Sequence, residues 1–287
     1  MSTLQDKKVS VIVPNFNYGQ YIKKRIKSIL KQTYPIYEVI ILDDASTDGS
    51  EEIIEKTLAE LGKKYPKVRM KFVKNIKNTG KAILQWKKGI EMAGGDYVWI
   101  AEADDLSNCK FLEEVMKPFD DPEVVISYTE SRIINSKGII VAPNFRWSRD
   151  KEKTGHFKSS YVKSGREEIG EIMAIRCTIP NVSAAVFRRD GLTSAILSKS
   201  AEFSQAGDWY LYLKLLEKGK VSYNRKALNY FRVHSSSVTD KAKKSKKHLD
   251  EIEYIQKMVR EKYPLSESVI KYQKNEYERV KQRMLNN

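Results

Sequence analysis

The chain has 287 residues, and its 41% hydrophobic and 10% aromatic content is enough for a packed core, which excludes a wholly disordered protein. Its formal net charge of +15 is compatible with nucleic acid, an anionic membrane surface or a phosphate-rich substrate as a partner. No recognisable nucleic-acid motif accompanies the charge, so the sequence does not favour a specific nucleic-acid partner.

The start of the chain and its cysteines bear on the expected location of the protein. Residues 1–8 lack the apolar stretch of a signal peptide, and no segment approaches the roughly 18 uninterrupted apolar residues of a membrane-spanning helix. We therefore expect a cytoplasmic protein. Cys109 and Cys177 have neither the number nor the spacing of a disulfide framework or a zinc site, so reduced thiols are expected.

Residues 1–105 alternate strand and helix signals, with short connections between them. The predicted strands are 9–13, 39–43, 69–74 and 97–101. The predicted helices are 18–31, 49–61 and 81–93. Asp48, followed by Glu51 and a helical apolar pattern, is predicted to cap the second helix. This alternation implies a parallel sheet built from right-handed crossover units.

The pattern is less regular beyond residue 105. Helices are predicted at 110–119 and 208–218, and strands at 124–128, 138–141, 181–187 and 228–233. The polar stretch 143–155 is predicted to be a loop. From residue 241 the sequence is helical, highly charged and broken at Pro264. No linker separates two independent cores.

Two acidic clusters follow predicted strands. Asp43 and Asp44 end the second strand, and Glu102, Asp104 and Asp105 follow the fourth. In open α/β sheets ligands bind outside the carboxyl ends of the strands, so these carboxylates are candidates for holding a divalent cation and, through it, a diphosphate. Acidic residues in such places also form turns and cap helices, and that alternative stays open, above all for the first pair.

These segments, taken together, resemble the family 2 glycosyltransferases, which transfer sugars from nucleotide-diphospho-sugars and have the GT-A fold. The matching segments are 9–17, 43–50, 78–80, 95–105, 207–209 and 231–239. The resemblance implies an α/β, Rossmann-like fold with a mostly parallel mixed sheet flanked by helices. It implies a transferase domain over 1–240, with a nucleotide-binding half (1–105) and an acceptor-binding half (106–240), and a basic helical C-terminal extension over 241–287.

The resemblance also implies which residues bind the donor. The residues that it places at the nucleotide or its phosphates are Pro14, Asn15, Asn17, Asp43, Asp44, Asn78, Gly80, Glu102 and Arg232. A carboxylate suits the imide N–H of uracil or thymine, and Asp44 is favoured over Asp43 for this contact. Lys81 and Arg176 are further candidates for phosphate contacts, although a solvated lysine is the simpler account of Lys81.

A divalent metal, Mn²⁺ or Mg²⁺, follows from the same resemblance. Asp104 stands where the family's metal-binding acid stands, Asp105 is expected to assist it, and His234 is a candidate for the metal or the diphosphate. An isolated histidine on a strand is commonly structural, so that alternative stays open. Glu102 departs from the family's usual aspartate and is expected to contact the ribose, or the metal through water.

Asp208 occupies the place of the family's catalytic base, while Gly207 departs from the acid that usually precedes it. A base here would deprotonate the acceptor hydroxyl during an inverting transfer; the alternative is a plain helix cap. The resemblance implies a hexosyl- or N-acetylhexosaminyltransferase that uses a UDP- or dTDP-sugar. Its acceptor would be a glycan or lipid-linked glycan of a bacterial surface polysaccharide.

Two alternatives to an active transferase stay open. The departures at Glu102 and Gly207 are compatible with a catalytically inactive, nucleotide-binding subunit, and the positive charge with a basic nucleic-acid-binding protein. A nucleotidyltransferase is not favoured, because the turn after the first strand lacks the glycine- and basic-rich loop that a triphosphate needs.

Two further segments are expected to contact an acceptor or a membrane. In 143–180 the aromatic residues could stack on sugars or simply pack; they are Phe145, Trp147, Phe157 and Tyr161. The basic run 241–247, with apolar residues behind it, could lie on the inner face of an anionic membrane or belong to a helix packed on the domain. Those apolar residues are Tyr254, Ile255, Met258 and Val259.

Overall fold

Four strands of the N-terminal half form the parallel part of a central sheet in the computed structural model, which describes residues 7–234 and 246–285. The strands are β1 (Val9–Asn15), β2 (Glu38–Asp43), β3 (Arg69–Lys74) and β4 (Tyr97–Ile100). They pair in the order β3-β2-β1-β4, all in parallel. β1, β2 and β4 are buried along their whole length, which explains why each is an apolar run rather than an alternating pattern.

Three helices cover the two faces of this sheet: α1 (Gly19–Leu30), α2 (Ser50–Lys64) and α3 (Ala82–Met92). α1 and α2 pack on the face that carries Val11 and Val13, and α3 packs through Trp86 and Ile90 on the face that carries Ile12. These elements confirm the predicted alternation, and each lies within a few residues of its predicted bounds.

The predicted helix cap at Asp48 is off by one residue. The residue before α2 is Gly49, with φ 82°, and it makes no side-chain cap. Asp48 instead accepts hydrogen bonds from the backbone N–H of Ser50 (3.0 Å) and of Gly19 (2.8 Å). One carboxylate therefore ties together the starts of α1 and α2.

The C-terminal half extends the sheet and makes it mixed. Its elements are β5 (Leu106–Ser107), α4 (Phe111–Met116), β6 (Val124–Ile134), β7 (Ile140–Ala142), α5 (Arg146–Arg149), β8 (Tyr161–Ser164), α6 (Gly165–Glu168), β9 (Ala185–Arg188), α7 (Ser194–Ser200), α8 (Gly207–Leu216) and β10 (Lys220–Arg232). β9 lies antiparallel between β4 and β6, and β10 pairs in parallel with β6. The predicted mostly parallel, mixed sheet is therefore confirmed.

Several predicted bounds in this half are wrong. β6 continues to Ile134 and β10 begins at Lys220, so both strands are much longer than predicted. Thr129, Glu130 and Ser131 are fully buried although they are polar, because they pair with other buried polar groups rather than with solvent. An apolar run cannot reveal such strands. The short helix α5 also interrupts the predicted loop, and α7 was not predicted.

Two helices follow the sheet, α9 (Lys246–Lys262) and α10 (Glu267–Leu285), on either side of the predicted break at Pro264. Ile252, Ile255 and Val259 of α9 are buried in the same apolar core as α8 and the segment 169–175. This packing favours the helix packed on the domain over the membrane-surface helix, while residues 241–245 of the basic run lie outside the described residues. Within the described part of the chain, no helix is long and apolar enough to cross a membrane.

Candidate active site

The loops after β1 and β2 are tied together at the carboxyl edge of the sheet. Asn15 and Asp43 are paired in register, and Asn15 Nδ2 donates to Asp43 Oδ2 at 2.7 Å. Asn17, with a left-handed φ of 58°, accepts from the N–H of Thr47 through its side-chain oxygen at 2.8 Å. Pro14 is paired in register with Leu42. The loop candidates thus lie together, as the sequence predicts.

The two carboxylates after β2 are occupied by donors of the protein itself. Asp43 accepts from Ser46 N and Oγ as well as from Asn15. Asp44 accepts from the side chains of Asn75 (2.6 Å) and Gln85 (2.8 Å) and from both the N–H and the hydroxyl of Thr79. For Asp43 the bonds from Ser46 are those of a turn, whereas Asp44 joins the end of β2 to the loop after β3 and to α3.

Asn78 and Gly80 shape the loop that faces Asp44. Asn78 Nδ2 donates to the Asp44 carbonyl at 3.1 Å, and its Oδ1 accepts from Gly80 N at 2.6 Å. Gly80 has φ 72°, a conformation that favours glycine. The structure therefore places both predicted residues at the carboxyl edge of the sheet, where they fix the loop backbone.

Glu102 is held by a donor that the sequence did not reveal. Trp86 on α3 donates its indole N–H to Glu102 Oε1 at 2.7 Å. Burial, and then the charges of Asp104 and Asp105, raise the pKa of Glu102 to about 8, although the Trp86 N–H opposes the shift. An aromatic donor thus partly satisfies the longer side chain at this position.

Asp105 is buried and faces inward. Its carboxylate accepts from the backbone N–H of Arg232 at 2.9 Å and from the side chain of Asn181. Burial and the charge of Asp104 raise its pKa to about 7, against the opposing charge of the buried Arg25. These contacts favour a role in holding β10 against the Asp104 loop rather than direct binding of a metal.

Asp104 and His234 meet just beyond the end of β10, where the Asp104 side chain is 15% exposed and the imidazole is buried. Asp104 Oδ2 lies 3.0 Å from His234 Nε2, and the imidazole packs between the rings of Tyr18 and Tyr21, at 5.6 and 5.5 Å. Arg232 and His234 both contact Asp104, although β10 ends at Arg232 and His234 lies beyond it. However, the buried Arg232 side chain donates to the backbone carbonyls of Asp104 and of residues 135 and 136. The guanidinium therefore braces the loop, which argues against the predicted phosphate clamp.

Asp104 and His234 suit a divalent cation better than the three acids Glu102, Asp104 and Asp105 together. Among residues 7–234 and 246–285, no group of three or more His, Cys, Asp and Glu side chains is arranged to hold a metal. Mg²⁺ usually binds through one or two carboxylates together with substrate phosphates, and Mn²⁺ accepts the same oxygen ligands. Asp104 and His234 are candidate protein ligands for such a shared site, because their side chains meet at 3.0 Å and the Asp104 carboxylate is partly exposed.

Asp208 is the second residue of α8 and is half-buried. Its Oδ1 accepts from the N–H of Trp209 at 2.7 Å, and burial raises its pKa to about 6. The pKa of the fully buried Tyr212 phenol is raised by burial and then by the charges of Asp208, Cys177 and Glu102. The Tyr212 hydroxyl is thus within electrostatic reach of both Glu102 and Asp208.

Residues 10–175 match the family model described as "Glycosyl transferase family 2", which is more than half of the chain. The chain belongs to glycosyl transferase family 2. It is therefore a member of a family of sugar-transferring enzymes.

Curated relatives agree with this assignment. The chain is 29% identical over 248 residues to the "Putative teichuronic acid biosynthesis glycosyltransferase TuaG" of Bacillus subtilis (strain 168), which covers 83% of this chain and 84% of that protein. It is 40% identical over 111 residues to the poly(ribitol-phosphate) beta-N-acetylglucosaminyltransferase TarP of Staphylococcus aureus (strain N315). That match covers 38% of this chain and only 32% of TarP.

Solved structures confirm the fold of this family 2 glycosyltransferase. S. aureus TarS 1-349 superposes with a TM-score of 0.64 at 20% identity, over 94% of this chain and 71% of that one. The mannosyltransferase PcManGT from Pyrobaculum calidifontis, solved with GDP-Man and Mn²⁺, gives 0.63 at 18% identity over 96% and 70%. These similarities extend well past the family match, through the C-terminal half.

Two departures of this glycosyltransferase from the family pattern have a structural explanation. At position 102 the indole N–H of Trp86 donates a hydrogen bond to the longer acidic side chain. At Gly207 a Cβ atom would lie 2.4 Å from both the carbonyl oxygen of Ser200 and Cδ1 of Ile83, so no other residue fits without a shift. The packing of α8 on α7 and α3 thus excludes an acid at position 207.

Most of the remaining candidates have partners within the protein. Arg176 pairs with Glu152 and Glu276, so it is not open to a phosphate, and Lys81 donates to the carbonyl of Ala201. Phe157 is buried beneath the Arg149 guanidinium, 4.1 Å from the ring centroid. Tyr161 bonds to Tyr128 and Glu168, Phe145 contacts Phe231, and the Trp147 side chain lies outside the described residues. Packing therefore accounts for Phe157 and Tyr161.

Proposed function

We propose that this protein is a metal-dependent, inverting glycosyltransferase that moves a sugar from a UDP- or dTDP-sugar to a hydroxyl of a glycan or lipid-linked glycan in bacterial surface polysaccharide assembly. The observation that carries the proposal is the Asp104–His234 pair, 3.0 Å apart at the carboxyl edge of a family 2 sheet. TuaG and TarP, whose names refer to teichuronic acid and poly(ribitol-phosphate), support the substrate class.

In this proposal Asp104 and His234 hold Mn²⁺ or Mg²⁺, with the donor diphosphate completing the ligand set. The cation would supply Lewis-acid stabilisation of the departing nucleoside diphosphate. Asp105 and Arg232 keep the Asp104 loop in place through their contacts with each other and with the loop backbone. The solved complexes of TarS with UDP-GlcNAc and of PcManGT with GDP-Man and Mn²⁺ agree with this donor chemistry.

Asp208 is the proposed base. Its Oδ1 is held by the Trp209 N–H, which orients the carboxylate at the start of α8. A carboxylate whose pKa is about 6 is ionised at neutral pH and yet binds a proton more readily than an ordinary aspartate. It would take the proton from the acceptor hydroxyl as that oxygen attacks the anomeric carbon and the diphosphate leaves from the opposite face.

Turnover of nucleotide sugars by purified variants tests this proposal. We expect wild type to release nucleoside diphosphate from UDP-GlcNAc, UDP-glucose or dTDP-glucose in the presence of Mn²⁺, and the Asp104→Asn and Asp208→Asn variants each to lose at least about 100-fold in kcat/KM. Asp96→Asn, an acid outside the cluster, serves as the matched control. Full activity in either site variant would remove the corresponding assignment. Metal-dependent UDP binding without turnover would instead favour the inactive subunit.

A further inference from the structure

The C-terminal helix α9 sends one carboxylate to the loop that precedes α8. Glu251, which is 7% exposed, accepts from three successive backbone N–H groups. Its Oε1 lies 2.5 Å from Ser204 N, and its Oε2 lies 2.9 Å from Gln205 N and 3.1 Å from Ala206 N. We name residues 204–206, which carry these N–H groups, the α8 entry turn.

Within α8, Asp208 Oδ1 accepts from the N–H of Trp209, but the N-cap residue supplies no side-chain cap. That residue is Ala206, which has no side-chain acceptor, and the next position must be glycine because Ser200 O and Ile83 leave no room for a Cβ. Helix N-termini are stabilised by a carboxylate, because their N–H groups lack partners within the helix and carry partial positive charge. Here Glu251 of α9 supplies a carboxylate to the N–H groups of residues 204–206, which immediately precede the first turn of α8.

The α8 entry turn leads directly to the proposed base. Asp208 follows Ala206 by two residues, and its carboxylate is oriented by the N–H of Trp209 in the first turn of α8. The Trp209 indole in turn donates to the Met173 carbonyl at 2.9 Å and belongs to the same apolar core as Ile252 and Ile255 of α9. The direction of the first turn of α8 therefore depends on α9 through both a charged contact and packing.

α9 and α10 also donate hydrogen bonds to the backbone of residues 174 and 175. Gln256 Nε2 donates to the Ile175 carbonyl at 3.1 Å, and Gln273 Nε2 donates to the Ala174 carbonyl at 2.7 Å. The next residues of that segment lead to Cys177, whose thiol is close enough to Asp208 for the aspartate charge to help raise its pKa, after burial. The C-terminal helices thus contact the chain on two sides of Asp208.

We propose that Glu251 is a positioning residue for Asp208 and acts through the α8 entry turn. Through this contact the C-terminal helices help to place the catalytic group. The inference rests on the proposed function, in which Asp208 is the base. Misplacement of a catalytic group by about 1 Å can cost roughly 100-fold in rate, so a cap on the preceding turn is expected to matter for kcat.

Amide hydrogen exchange of the full chain tests the contact without any substrate. Glu251→Gln keeps the shape of the side chain but turns an NH₂ group toward N–H donors in either orientation. We expect exchange across 204–209 to become about tenfold faster or more, because hydrogen bonds to charged groups are lost. Glu253→Gln, the same change at an exposed position of the same helix, should leave exchange as in wild type. Unchanged exchange in Glu251→Gln would overturn the proposal.

Turnover of UDP-GlcNAc, or of the donor sugar that wild type prefers, tests the positioning role. We expect Glu251→Gln to lower kcat about tenfold with little change in donor KM, and Glu251→Asp, which keeps the charge, to lose less. In the Asp208→Asn background, Glu251→Gln should cause no further loss, whereas a general structural defect would lower both rates. An undiminished kcat, or equal losses in both backgrounds, would contradict the proposal. Absence of any wild-type turnover would contradict the proposed function, and the exchange result would then still decide whether Glu251 holds the turn.

Discussion

The acids of the site differ in the partners that each carboxylate has. Asp44 and Asp105 are surrounded by donors of the protein, Glu102 has one indole N–H, and Asp104 meets only the imidazole of His234 through its side chain among the hydrogen bonds described here. A buried carboxylate is stable when donors satisfy it, whereas one that faces solvent can accept a ligand. Asp104, which is partly exposed and paired with an imidazole, is therefore the acid that we assign to the cation.

The pKa of Asp208 predicts a pH dependence. Burial raises the folded-state pKa to about 6, and a base works only in its ionised form. We therefore expect kcat/KM for the donor to rise with pH and to level off about one unit above that pKa, near pH 7. A pH–rate profile between about 5 and 8 checks this limb; a profile that is flat over that range would contradict the assignment.

The same shift predicts the stability of Asp208→Asn. Because the folded pKa lies above the unfolded value, the fold favours the protonated acid, and this contribution to stability is lost as the pH rises through about 6. At pH 7.5 the neutral asparagine removes the buried charge. We expect a Tm for Asp208→Asn no lower than that of wild type, measured by calorimetry. A marked drop in Tm would mean that lost activity reflects unfolding.

At the scale of elements, the sequence predicts the N-terminal half well. Continuous apolar runs such as Val39 to Leu42 can only be buried strands here, because helices with clear apolar stripes separate them. The motifs at the strand ends then place Asp43, Asp104 and their neighbours at one edge of the sheet. The site could be located in this way, although not the partners of each side chain.

The partners could not be predicted, because they come from distant parts of the chain. Trp86 reaches Glu102 from α3, and Asn181 reaches Asp105 from the segment before β9. Local patterns contain no information about such contacts. The long strands β6 and β10 were underestimated for the same reason, since a buried polar residue such as Asn229 bonds across the sheet, from its Nδ2 to Ser131 Oγ, rather than to neighbours in sequence.

The packing of α8 predicts the effect of an added methyl group. Gly207→Ala would place its Cβ 2.4 Å from the Ser200 carbonyl, so α8 must shift away from α7. We expect a loss of about 1–3 kcal/mol in the free energy of unfolding and a reduced kcat, since Asp208 shifts with the helix. Gly62→Ala, where nothing lies within 4 Å of the added Cβ, is the control and should be neutral or stabilising. Urea denaturation compares the two, and equal stability would contradict the packing argument.

At the scale of the whole molecule, a buried ion pair joins Glu276 of α10 to Arg176, which lies between α6 and β9. Glu276 accepts from Arg176 Nε at 3.0 Å and Nη2 at 2.8 Å, while Glu152 pairs with the same guanidinium. This contact explains why Arg176 does not serve the donor. It also means that the highly charged C-terminal sequence is partly an internal feature of the fold.

Glu276→Gln is expected to destabilise the protein, because it leaves Arg176 with one fewer charged partner in a buried place. The loss should be about 1–3 kcal/mol, less than for a fully unpaired charge, since Glu152 remains. Glu278→Gln on the exposed face of α10, where the pair with Lys281 spans 3.8 Å, should change stability by less than about 1 kcal/mol. Urea denaturation measures both, and equal effects would contradict a structural role for the pair.

Calorimetric titration tests the central claim most directly. Purified wild type and Asp104→Asn would each be titrated with UDP, dTDP, GDP and CDP, with and without Mn²⁺. The account predicts that UDP or dTDP binds wild type in a Mn²⁺-dependent manner and that Asp104→Asn loses this binding. Absence of nucleotide binding in wild type under both conditions, or binding that ignores both Mn²⁺ and the substitution, would contradict it.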